Sequence, residues 1–141
     1  MHLKTHLPWP PKELSPNARV HHMTRSRHAK RYREACGLLV KSAWGGMAKA
    51  MKIDRYPLLH LWLVFEPPDN RRRDDDNMIG AFKPGRDGIA DALGIDDQKF
   101  ALHVIKGTKH KGGRVTVTIT DSPNQADAEW QWGDPWPCEN H

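Results

Sequence analysis

Alternating apolar and polar positions mark both ends of the first 120 residues, and helical spacing fills the stretches between. Residues 3–8 (LKTHLP) read as a short strand, ended by Pro8, Pro10 and Pro11, which cannot donate to a central ladder. Residues 9–25 mix prolines, Asn17 and basic side chains without periodicity, and read as an irregular loop. From Ser26, placed as the N-cap, Tyr32, Cys36, Leu39, Val40, Ala43, Trp44 and Met47 recur at three- and four-residue steps, as one face of a helix requires. Gly45 and Gly46 are expected to weaken or bend its far end. Residues 58–66 alternate, with Leu59, Leu61, Leu63 and Phe65 on one side and His60, Trp62 and Val64 on the other. Both sides are largely apolar, so this strand is expected at the centre of the sheet or covered on both faces. Residues 77–93 read as a second helix, where Pro84 and Gly85 predict a kink or a break. Residues 99–106 and 114–120 read as strands, and the GTKHKGG segment between them reads as a hairpin loop. The order β-α-β-α-β-β predicts an α+β domain, a small mixed β-sheet packed by two helices.

A chain of 141 residues supports one core. The domain is expected over residues 1–120, because residues 121–141 lack apolar periodicity and read as a flexible acidic tail carrying Trp130, Trp132 and Trp136. That division sharpens the charge. Five acids fall in the tail with no Lys or Arg, which leaves 12 acids against all 22 basic side chains in residues 1–120, a net of +10 against +5 for the whole chain. A body so basic attracts polyanions, since every phosphate contact releases condensed counterions. Cys36 and Cys138 are far apart and lack zinc-ligand spacing, so neither a structural zinc nor a disulfide framework is expected. No apolar run suits a membrane span or a signal peptide, which points to the cytoplasm.

Chemistry concentrates where Asp74, Asp75 and Asp76 follow Arg71, Arg72 and Arg73. Adjacent carboxylates repel one another unless a cation compensates, and magnesium takes oxygen ligands of this kind. If residues 74–76 are extended, Asp74 and Asp76 point to one side and Asp75 to the other. The competing reading is that Asp76 caps a helix starting near Asn77, with Asp74 and Asp75 complementing its dipole. A second acidic pair, Asp96 and Asp97, follows the helix; it is either a solvated turn or the remainder of a metal site. Lys83, two helical turns after Asp76, either neutralises charge on a reacting phosphate or is an ordinary exposed lysine. Arg71, Arg72 and Arg73 are candidate phosphate contacts, as are Lys109, Lys111 and Arg114 in a flexible, glycine-containing loop. A merely solvated role stays open for each group.

Four separated segments together resemble the RusA family of phage-type Holliday-junction resolvases. They are LPWPP at 7–11, RRRDDDN at 71–77, the Asp96-Asp97 pair and KGGRVTVTIT at 111–120. The resemblance covers roughly residues 5–120 and implies a RusA-like homodimer, encoded by a phage or prophage. It implies magnesium dependence, with manganese as an alternative ion, and paired cuts in a four-way DNA junction. The family's metal-binding aspartates fall on Asp74, Asp76 and Asp97. Its essential lysine is expected one turn after the second aspartate, where this chain has Gly80. Lys83 comes one turn later, and an insertion of nearly one helical turn keeps it on the same face; Arg86 is the substitute. The competing functions are a non-catalytic branched-DNA-binding protein and a flap or fork nuclease of broader taste.

Overall fold

A computed structural model describes residues 1–124, so the expected tail lies almost wholly outside the described residues. The strands are β1 (His2–Pro8), β2 (Leu59–Glu66), β3 (Phe100–Lys106) and β4 (Arg114–Thr120); the helices are α1 (His22–Ala50) and α2 (Asp75–Leu93). The expected α+β order is therefore present. Short 3-10 turns at Lys12–Leu14, Ile53–Arg55 and Asp97–Lys99 complete it.

The sheet runs β1-β4-β2-β3, with β4 antiparallel to both neighbours and β2 parallel to β3. β2 is central, as its two apolar sides require, and seven of its eight residues are buried. Parallel pairing of β2 with β3 needs a crossover, which α2 supplies. This order corrects one expectation. Residues 107–113 are not a hairpin loop, because β3 and β4 lie on opposite sides of β2. The segment instead passes across the end of β2, fixed by Gly107 N–H donating to Phe65 O at 2.8 Å and His110 N–H to Pro67 O at 2.9 Å. The glycines still make the turn: Gly112 and Gly113 have φ of 79° and 74°.

Both helices depart from their expected limits. α1 starts at His22 rather than after Ser26, and the His21 imidazole caps it by accepting from Met23 N–H. It continues through Gly45 and Gly46 to Ala50. Its buried stripe is narrower than the spacing suggests: Tyr32, Cys36, Val40, Trp44 and Ala48 face inward, while Leu39 and Met47 are exposed. Two of its aromatic heads tie it to edge strand β1, Trp44 Nε1 donating to Lys4 O and Tyr32 Oη to Pro8 O. Burial pushes the Cys36 thiol up to about 12, with the Tyr32 hydroxyl partly opposing, so this is an inert core thiol. α2 runs unbroken through Pro84. Packing overrides the helix breaker here: Gly88 lies directly against the α1 backbone, and Phe82 is buried against Tyr32 and Phe65.

Candidate active site

α2 begins where β2 ends, and three other chain segments meet at the same end of the sheet. The register aligns Pro8, Arg114 and Glu66 across β1, β4 and β2. Trp9, the 67–74 loop, the start of α2 and the 107–113 segment therefore converge at the carboxyl end of β2, where ligands of parallel strand–helix units bind.

Asp74 is the N-cap of α2, with φ −84° and ψ 133°, and its Oδ1 accepts from Asp76 N–H at 3.0 Å. Asp75 and Asp76 already belong to the first helical turn. The expectation of an extended 74–76 segment is thus corrected, as is the alternative in which Asp76 is the cap. Positions i and i+2 of a helix do not share a face, so Asp74 and Asp76 flank the helix start rather than projecting in parallel. All three carboxylates are exposed. Asp75 pairs with Lys106 at 3.0 Å.

Asp97 lies elsewhere. It follows the far end of α2, in the turn that Asp96 caps by accepting from Gln98 N–H. The 19 residues of α2 span about 28 Å at 1.5 Å per residue. One subunit therefore does not bring Asp97 to Asp74 and Asp76. Among the described residues, no group of three His, Cys, Asp or Glu side chains is placed to hold a metal ion. Lys83 is exposed and lies 3.4 Å from Asp87, one turn further along α2. It is about 10 Å of helix rise from Asp76, so the two do not touch.

The basic candidates divide by what already holds them. Arg73 is mostly covered: it pairs with Asp69 at 2.9 Å, donates to the Asp69 and Arg71 carbonyls, and lies 5.5 Å over the Trp9 ring. It fixes the loop. Arg71 and Arg72 are exposed, although Arg71 is 3.8 Å from Asp69. Arg114 pairs with Glu66 at 2.8 Å across β4 and β2. Burial raises the Glu66 carboxyl, but hydrogen bonds from Arg114 and Thr116 outweigh it and hold the group below 4.5. Lys109 and Lys111 remain exposed on the crossing segment. Arg86 is half-buried beside Lys83, in a small cleft against Leu63 and Leu102.

Trp9, Phe65 and Met78, to which the sequence pattern gave no role in a site, adjoin these groups. A cavity of about 390 Å³ lies against Asp74, and Trp9, Phe65, Arg72, Asn77 and Met78 are among the residues that line it. The pattern of Trp9 among prolines carried no sign of it, because its walls come from segments more than 50 residues apart.

No family model matches the chain. Among curated proteins, an uncharacterised protein of Xylella fastidiosa is 46% identical over 122 residues, covering 85% of this chain and 77% of the relative. Crossover junction endodeoxyribonuclease RusA of Escherichia coli K12 is 32% identical over 126 residues, covering 84% of this chain and 94% of that protein. The protein of the same name from Enterobacteria phage 82 is 31% identical over the same length and shares. No helix among the described residues is long and apolar enough to cross a membrane. With similarity to RusA along most of both lengths, the chain belongs to the RusA family.

Proposed function

We propose that the protein is a magnesium-dependent endodeoxyribonuclease that resolves four-way DNA junctions by paired strand cuts, acting as a homodimer. The observation that carries this reading is the exposed Asp74 and Asp76 pair at the start of α2, surrounded by basic loops, in a RusA-family chain. Two hard carboxylates suit magnesium, which commonly takes one or two protein carboxylates and completes its shell with water and substrate phosphate. Bound there, the ion would supply water activation and charge neutralisation on the phosphorane; manganese can do the same.

The remaining work falls to the chain. The Asp76 amide holds Oδ1 of Asp74, which pre-orients that carboxylate. Arg72, and Arg71 once it leaves Asp69, can meet the phosphates flanking the cut, and Lys109 and Lys111 can follow the backbone. Lys83 can serve a leaving oxygen only after exchanging its Asp87 partner for substrate.

A two-fold dimer resolves the distance to Asp97. Antiparallel pairing of α2 with its mate would set Asp97 of the partner subunit beside Asp74 and Asp76, and would do so twice. The two sites would then be separated by about one helix length, roughly 28 Å, with one site for each strand to be cut. The flank of α2 available for this is the one over edge strand β3, because α1 occupies the other. β3 is the edge of the sheet on that side, and all of it except Lys106 is half-buried.

The test is cleavage of synthetic four-way, three-way and linear DNA in magnesium, with EDTA as control. Symmetric cuts in the four-way junction are expected. Equal rates on linear duplex would refute junction selectivity, and cleavage in EDTA would refute the metal site.

A further inference from the structure

We infer that the cavity beside Asp74 receives one unstacked nucleobase of the branched substrate. This rests on the nuclease reading and adds to it the element that selects junctions over continuous duplex. The cavity, of about 390 Å³, falls within the ~300–1,000 Å³ range of small-ligand sites.

Its chemistry is divided in the way a nucleobase is divided. Trp9, Phe65 and Met78 give its lining an apolar part, and arginines 71–73, Asp74 and Asn77 give it a polar and charged part. A phosphate would meet the arginines but gain nothing from the apolar part of the lining. A base uses both parts, offering a π-face to Trp9 and a hydrogen-bonding edge to the polar side chains.

Trp9 is held as a platform before any ligand arrives. Its ring meets the Phe65 ring nearly edge-on, with centroids 6.1 Å apart and planes at 85°. The Arg73 guanidinium lies 5.5 Å over it, and Arg73 is itself tied to Asp69. The start of β4 abuts it so closely that a Cβ on Gly113 would lie 2.9 Å from Trp9 Cβ. A platform fixed in this way needs little ordering on binding.

The location links the cavity to the chemistry. Asp74 and Asn77 both line it, so a base seated there leaves its own phosphates at the start of α2, near the carboxylates. Bases at a branch point have already lost stacking partners and enter readily, whereas an intact duplex must first unstack one.

Photo-crosslinking of the full-length wild-type protein tests this directly. 5-Iododeoxyuridine is placed at successive positions around the branch point of a four-way junction. The complex, formed in calcium to prevent cutting, is irradiated and its adducts are mapped by mass spectrometry. An adduct on Trp9 from one or two positions adjoining the branch point is expected. In parallel, removing the base from the crosslinking position should weaken junction binding about tenfold. Adducts only outside the cavity, in a complex that cuts once magnesium is restored, would overturn the nucleobase site and leave the nuclease reading intact. Failure to cut any substrate in magnesium would remove the nuclease reading and this inference with it.

Discussion

Replacing Gly88 by alanine should damage the protein from a position that touches no candidate ligand. A Cβ at Gly88 would lie 2.3 Å from the Arg33 carbonyl oxygen and 3.1 Å from Gly37 N. Both neighbours are α1 backbone and cannot rotate aside, so α1 and α2 must separate by about an ångström to restore ordinary contact. Overpacking of this kind costs about 1–3 kcal/mol, and backbone-on-backbone contact places it toward the upper end. Alanine returns about 1 kcal/mol of helix propensity, which leaves a net loss of about 2 kcal/mol. For a chain of this size that lowers Tm by roughly 6–10 °C. Gly46→Ala is the internal control, since nothing lies within 4 Å of its added Cβ and only the propensity gain of up to about 1 kcal/mol remains. Thermal unfolding followed by circular dichroism should show Gly88→Ala falling and Gly46→Ala holding or rising. Equal Tm changes in the two variants would refute the account of how α2 is seated.

Other outcomes follow from single contacts. Asp76→Asn should abolish cleavage while junction binding holds or tightens, because a charge that repels phosphate is gone; gel-shift and cleavage assays on one junction read both. Glu66, held below 4.5, contributes stability that is present above that value and lost as pH falls through its folded value. The Tm deficit of Glu66→Gln at pH 7 should therefore shrink below about pH 4.5; a deficit constant with pH would contradict the Arg114 pairing. Asp87→Asn releases Lys83, so the cleavage rate should hold or rise with unchanged fold if Lys83 serves the leaving group; a loss of rate would show that the pair itself is needed. Ending the chain after Asn124 removes four acids and no Lys or Arg, taking the net charge from +5 to +9. Junction binding should tighten at low salt and converge with the full chain at high salt.

Much of the fold was legible because periodicity reports burial directly. The two-sided apolar pattern of residues 58–66 identified the central strand, and β2 indeed lies between β4 and β3. Periodicity does not report neighbours. β3 and β4 alternate in the same way whether adjacent or separated by β2, and the glycines at 112 and 113 suit a turn in either case. The start of α1 was misread because Ser26 is a common cap residue, whereas His21 is a rare one. No break occurs at Pro84, because tertiary packing, absent from local sequence, holds α2 continuous. At the candidate site, the run of aspartates was visible as a charge conflict. Which of them caps α2 depends on where the first helical turn closes, a choice that neighbouring acids leave degenerate. The remoteness of Asp97 follows from the unbroken length of α2, which a predicted break had obscured.

The central claim is that each cutting site joins Asp74 and Asp76 of one subunit to Asp97 of the other. Mixing inactive Asp76→Asn subunits with inactive Asp97→Asn subunits tests it most directly. In a mixed dimer one site carries both substitutions and the other carries neither, so the mixture should regain single-strand nicking of a four-way junction in magnesium. If mixed dimers form, as verified with two affinity tags, and nick nothing, each site is confined to one subunit and the composite arrangement is contradicted.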